Sequence, residues 1–152
     1  MLFRSLFTRI SPDEPEGGGC DGFNETTYFE SKSRANTMKG SEAVNEIRKK
    51  LERLVEQFKL TQKIKFVDNC NVMPVAYYIS DVVVSSSIEP EAFGRVSVEA
   101  QSMKKPIVAS NIGGSKETVI DNKTGLLFES GNPKSLCDKL NEIIKQIGRA
   151  HV

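Results

Sequence analysis

Glu91 and Glu99 stand in the segment Glu91-Ala-Phe-Gly-Arg-Val-Ser-Val-Glu99, directly after the apolar run Asp81-Val-Val-Val-Ser85. That order reads as a strand, a loop carrying Phe93 and Gly94, and the start of a helix. One carboxylate then lies in the loop and the other on the helix. A polar, hydroxyl-rich ligand suits such a place. The amides around Phe93, Gly94, Arg95 and Val96 are available to phosphate oxygens at a helix N-terminus, and Gly94 lets the backbone come close. With Val96 at the origin of the helical wheel, Ala100 and Met103 fall within about 40° of it, and Glu99 falls roughly 60° away. A carboxylate on the border of such an apolar stripe is partly buried and needs a hydrogen-bonding partner. A vicinal diol, such as that of a ribose, offers it two donors, and Glu91 is placed to reach a different part of the same ligand. Spacing alone is met as well by a solvated loop glutamate and a helix glutamate paired with a lysine.

Bulk properties narrow the field. The chain has 152 residues and a net charge of +1. That length suits one domain, and the charge carries no nucleic-acid or membrane footprint. Cys20, Cys70 and Cys137 are far apart and show no metal-ligand spacing, so reduced thiols in a cytoplasmic protein are the simplest reading. His151 is the only histidine, which argues against a catalytic triad or a multi-histidine metal site. No apolar run approaches the about 20 residues that span a bilayer. At the start, Leu2, Phe3, Leu6, Phe7 and Ile10 share a helical face, with Arg4 and Arg9 elsewhere. Peripheral contact with the inner face of a membrane suits that pattern, and a loosely docked terminus suits it too.

The elements that must hold the two glutamates follow from periodicity. Residues 1–40 read as poorly ordered or irregular: 11–40 are rich in Gly, Ser, Thr, Asn, Asp and Glu, with one short strand at 26–29. From 41 onward the pattern sharpens. Ser41 reads as a helix N-cap, and Val44, Ile47, Leu51, Leu54, Val55 and Phe58 recur at helical spacing over 42–59. Strands are expected at 64–67, 82–85, 107–109 and 126–128. Helices are expected around 74–79, 95–103 and 116–120, and from Pro133 to about 147. Alternating strands and helices imply one Rossmann-like α/β unit at 41–152, a parallel sheet with helices on both faces. Ligands of such sheets bind outside the C-terminal strand ends, where the loops after Ser85 and Ala109 emerge.

The segment 81–128 resembles the group 1 family of retaining, nucleotide-sugar-dependent glycosyltransferases. The resemblance rests on Glu91-Ala-Phe-Gly-Arg-Val-Ser-Val-Glu99-Ala100, then Lys105-Pro-Ile-Val-Ala-Ser110, Gly113-Gly-Ser-Lys-Glu117 and Asp121-Asn-Lys-Thr-Gly-Leu-Leu-Phe128, and on Gly131-Asn-Pro133 before the last helix. With the upstream segments 49–64 and 66–74 it covers about residues 42–145. It implies half of a glycosyltransferase B fold, in which two Rossmann-like domains face each other across a cleft. It implies that Glu99 binds the donor ribose and that Glu91, the candidate catalytic residue, contacts the donor sugar. The backbone of Phe93, Gly94, Arg95 and Val96 would hold sugar and phosphate. Gly113 and Gly114 would line the cleft, followed by the acidic Glu117; a tight strand-to-helix turn explains the glycines equally well. No metal or other cofactor is implied, and the donor is a nucleotide-diphospho-sugar.

The sequence departs from the family in three ways. Arg34 and Lys39 match the spacing of the family's diphosphate-binding basic pair, but no convincing strand precedes them. Ser85-Ser-Ser87 stands where a proline often precedes the serine. The acceptor domain and the usual returning C-terminal helix are not seen, so the expectation is an N-terminally truncated donor domain that needs a separate acceptor domain or subunit. Its role would be in glycan or lipopolysaccharide biosynthesis. The other readings are a nucleotide-sugar binding module without catalysis and an inactive truncated gene product.

Overall fold

A computed structural model describes residues 5–9, 25–29, 38–67 and 72–150. The elements run β1 (Ser5–Arg9), β2 (Glu25–Phe29), α1 (Met38–Gln57), β3 (Ile64–Val67), α2 (Met73–Ile79), β4 (Val82–Ser85), α3 (Arg95–Ser102), β5 (Ile107–Ser110), α4 (Ser115–Thr118), β6 (Leu126–Phe128) and α5 (Pro133–Ala150). The strands form one sheet in the order β3-β2-β1-β4-β5-β6. This is the doubly wound Rossmann order, which reverses direction between β1 and β4.

β4 is central, and its sequence shows why. Val82, Val83 and Val84 are all fully buried, so the strand reads as a continuous apolar run instead of an alternation. Val83 packs with Ile107, Ala109, Tyr77, Val96 and Ala100 on the face covered by α2 and α3. Val82 and Val84 pack with Val108, Leu126, Phe128, Leu140 and Ile143 on the face covered by α5. Each fully buried valine or isoleucine contributes about 1.5–3 kcal/mol, so this sandwich is the main source of stability for the half of the sheet that carries the two glutamates.

The sequence-based expectations need correction at the N-terminal end. Residues 5–9 form a strand, not an amphipathic helix, in a segment expected to be irregular apart from the short strand at 26–29, which is present as β2. β1 runs antiparallel to both β2 and β4, whereas β2–β3, β4–β5 and β5–β6 are parallel. A parallel neighbour needs a long crossover, usually helical, and an antiparallel one does not. The stretch between β1 and β2, with Gly17-Gly-Gly19, has no helical periodicity. The first long helix begins at Met38, so Ser41 lies inside it and does not cap it. Of its apolar stripe, Leu54 is exposed, as is Phe58 just beyond the helix end. Cys137 is disulfide-bonded and not a free thiol; its partner lies outside the described residues. Among the described residues, no helix is long and apolar enough to cross a membrane.

Two crossover loops leave the C-terminal edge side by side, because β4 and β5 are parallel neighbours with Ser85 opposite Ala109. They pack backbone on backbone. The Gly114 N–H donates to the Glu91 carbonyl at 2.7 Å. A Cβ on Gly114 would stand 2.5 Å from the Phe93 carbonyl carbon, and one on Gly113 would stand 2.6 Å from the Glu91 carbonyl oxygen. Gly113 also has φ 53°, in the left-handed region. The glycine pair therefore serves the loop-to-loop contact as well as the turn. Gly114 itself has a helical φ of −60°, so alanine there meets only a lack of space. Gly114→Ala should destabilise by about 1–3 kcal/mol through overpacking. Gly131→Ala, at φ 74° with nothing within 4 Å, should cost only the left-handed penalty of about 1–2 kcal/mol. Urea unfolding measures both, and a Gly114→Ala midpoint equal to wild type would contradict the close contact.

Candidate functional site

The β4–α3 loop emerges where the strand order reverses, next to β1. Gly94 ends the loop at φ 66° and sits at the N-cap of α3 with no side-chain cap. Its carbonyl accepts from the Ser97 amide at 3.0 Å. The amides of Arg95 and Val96 precede the first intrahelical hydrogen bond and face the loop end of the helix. Phe93 is exposed and Glu91 is half-buried, so the loop presents an aromatic ring and a carboxylate beside those amides.

Along α3, Val96 and Ala100 are buried in the sheet-facing cluster, and Met103 packs against it. Glu99 lies on the border of that stripe, with its side chain 38 % exposed. The partner required by its partial burial comes from another element. The Tyr77 hydroxyl on α2 donates to Glu99 Oε2 at 2.7 Å, a length typical of a hydrogen bond to a charged acceptor. Arg95 reaches the other oxygen, Oε1, at 3.3 Å from an exposed position one turn earlier. Tyr77 is 2 % exposed, and its ring belongs to the cluster that holds Val96 and Ala100.

Sequence reasoning missed Tyr77. Its signal was the spacing of Met73, Ala76 and Tyr77 on α2, which marks one helical face. Met73 packs against the core and the other two are buried, while Val75, Tyr78 and Ile79 are exposed. The other expected site residues divide. Glu91, Phe93, Gly94, Gly113 and Gly114 are brought together by the loop contact, and Arg95, Val96 and Glu99 follow on α3. Glu117 is exposed on α4, where its amide bonds the Gly114 carbonyl at 3.1 Å; among the described residues its carboxylate has no ion pair. Arg34 lies outside the described residues. Lys39 and Gly40 fall in the first turn of α1, not in a loop before it. Asp121 accepts the Leu127 amide at 2.8 Å, and Asn122 takes φ 60°, so 121–125 is a turn that starts β6.

Burial, reinforced by the hydrogen bond to the Glu99 carboxylate, pushes the Tyr77 hydroxyl above the ordinary phenol range. The hydroxyl is therefore a standing donor at every physiological pH. Because the folded value exceeds the unfolded one, its contribution to stability is complete below about pH 10 and falls as pH rises further. Tyr77→Phe should flatten the loss of urea-unfolding midpoint between about pH 10 and 11.5. Parallel curves for the two proteins would contradict this coupling.

Comparison with known proteins places this geometry. The family described as "Glycosyl transferases group 1" matches residues 37–151. The capsular polysaccharide biosynthesis glycosyltransferase CapM of Staphylococcus aureus is 32% identical over 71 residues, 47% of this chain and 19% of its own length. The D-inositol 3-phosphate glycosyltransferase of Corynebacterium urealyticum is 33% identical over 96 residues, 62% of this chain and 22% of its own. Among solved structures, a glycosyltransferase from Rickettsia africae superposes with a TM-score of 0.66 at 36% identity, over 80% of this chain and 30% of that one. The Anabaena protein HepE, in complex with UDP, superposes with a TM-score of 0.66 at 31% identity, over 68% and 28%. The chain thus spans about a fifth of the length of these curated relatives. The Rossmann-ordered sheet, covered by helices on both faces, is one half of a glycosyltransferase B fold. Shared over most of its length and carrying the paired glutamates at a strand-to-helix loop, these features show that the chain belongs to the glycosyl transferases group 1 family.

Proposed function

We propose that this chain is the donor-binding half of a glycosyltransferase that moves a sugar from a nucleotide-diphospho-sugar to an acceptor with retention of configuration. The observation that carries the reading is Glu99: a carboxylate at the ligand edge of the sheet, held from behind by Tyr77. A carboxylate offers about four lone-pair sites. Tyr77 and Arg95 use two, which leaves two for the vicinal hydroxyls of a ribose. HepE, 31% identical, has been solved with UDP and with UDP-glucose, which supports a nucleotide-sugar as the ligand.

Each residue has a role in this reading. Glu99 receives the ribose hydroxyls, and Glu91 receives hydroxyls of the donor sugar. The backbone from Phe93 to Val96 turns amide hydrogens toward the sugar and phosphates, and Gly113 and Gly114 hold that backbone in place. The bond between the anomeric carbon and the diphosphate breaks as the acceptor oxygen bonds to the same face, and the acceptor's proton passes to the departing phosphate oxygen. Charge on the departing diphosphate is met by oriented amides and, in this reading, by Arg34 and Lys39. No metal and no catalytic base from this chain are required. The acceptor is held by a separate domain or subunit, and the chain works in the cytoplasm beside its donor, with the inner face of a membrane as the place for a membrane-borne acceptor.

Calorimetry with UDP, GDP and their sugars tests the reading. The folded chain should bind at least one of them weakly, and Glu99→Ala should reduce that affinity by about tenfold, as expected for losing hydrogen bonds to a charged group. A folded chain that binds none of them contradicts the assignment, and unchanged affinity in Glu99→Ala contradicts the ribose role. Sugar transfer by the purified chain alone would refute the need for a second domain.

A further inference from the structure

We propose that Tyr77 is a positioning residue for donor recognition, its hydroxyl fixing the Glu99 carboxylate so that the remaining lone pairs meet the two ribose hydroxyls. This rests on the ribose role of Glu99 given above. A glutamate side chain has several rotatable bonds, and one on a helix surface samples several rotamers. The hydrogen bond at 2.7 Å to Oε2 removes that freedom. The anchor is itself immobile, because the Tyr77 ring is 2 % exposed and packs in the cluster that holds Val96 and Ala100 of the same helix. The short helix around Tyr77 is tied down from two sides. Ser80 Oγ donates to the Tyr77 carbonyl at 2.8 Å, and Lys105 Nζ donates to the Tyr78 carbonyl at 2.8 Å.

Arg95 is the other group on Glu99, and it is the weaker anchor. Its contact is longer, at 3.3 Å, and its side chain is 71% exposed. An exposed pair one helical turn apart is screened by solvent and contributes little. The two partners therefore divide the work. Tyr77 sets the orientation from the core, and Arg95 stays free to swing aside for a ligand. A carboxylate held in this way accepts hydrogen bonds only, so it selects a sugar with both hydroxyls present over one that lacks them.

The test compares a nucleoside diphosphate with its 2′,3′-dideoxy counterpart, using whichever of UDP, GDP and ADP the full chain binds most tightly. Wild type should prefer the ribonucleotide. Tyr77→Phe keeps the ring and removes only the hydroxyl. It should weaken the ribonucleotide about fivefold to tenfold, leave the dideoxy compound unchanged, and add nothing in a Glu99→Ala background, as a residue acting through Glu99 must. A merely structural role would weaken both compounds alike and would persist without Glu99. If wild type prefers the ribonucleotide and folded Tyr77→Phe keeps that preference in full, the positioning role is refuted while the ribose role of Glu99 stands. If wild type shows no preference, or binds none of the three nucleotides, the ribose role falls and the positioning role with it. Arg95→Ala gives a second check that does not depend on the Tyr77 variant folding: it should keep most of the preference, and its loss there would overturn the assignment of Tyr77 as the principal anchor.

Discussion

The contact between the two crossover loops governs the geometry of the site. Parallel pairing of β4 and β5 sends both chains out at one edge of the sheet, where their loops compete for the same space. The competition is resolved by removing side chains from one of them. Gly113 and Gly114 lie against the backbone of Glu91, Phe93 and Gly94, and one short amide-to-carbonyl bond joins the two. Gly94 packs back against Ser115 and Thr118. Its left-handed conformation then sets the direction in which α3 leaves the loop. The rotational setting of Glu99 on that helix follows, and with it the distance to Tyr77.

A second layer of control comes from the core. One cluster of apolar residues packs α2 and α3 on the same face of the sheet, and Tyr77 belongs to it through its ring. The phenol oxygen ends at the rim of that cluster, where Glu99 is half-exposed. An apolar core thus delivers a polar donor to a carboxylate, and the donor's position is as rigid as the packing around the ring. Hydrogen bonds to a charged acceptor are stronger than neutral ones, more so where solvent is partly excluded. The exposed side of Glu99 keeps the lone pairs that a ligand can use. In the proposed function, stability and recognition therefore depend on the same few residues.

Membership of the glycosyl transferases group 1 family frames the proposed role of this chain. The chain covers a minor fraction of the length of its relatives, and it carries Glu91 and Glu99 at one strand-to-helix loop. Binding energy for a donor can be assembled from one edge of one sheet. Transfer requires an acceptor oxygen held close to the anomeric carbon, and that placement accounts for a large part of catalysis. The proposed division between donor binding here and acceptor binding elsewhere follows from that requirement.

Much of this was legible in the chain because it depends on local pattern. The valine run of β4, the stripe of Val96, Ala100 and Met103, and the proline opening α5 each report on their immediate neighbours, and each element lies where periodicity placed it to within a few residues. The border position of Glu99, and its need for a partner, also followed from helical geometry alone. The partner did not. Tyr77 and Tyr78 are adjacent tyrosines, and only the packing of α2 against α3 and the sheet puts the first inside and leaves the second in solvent. The glycine pair read equally well as a turn, until the neighbouring loop showed what it makes room for. The antiparallel entry of β1 was hidden for the same reason, since strand direction is decided by partners distant in sequence. Residue periodicity specifies which face of an element is buried, but what that face meets depends on several elements arriving together.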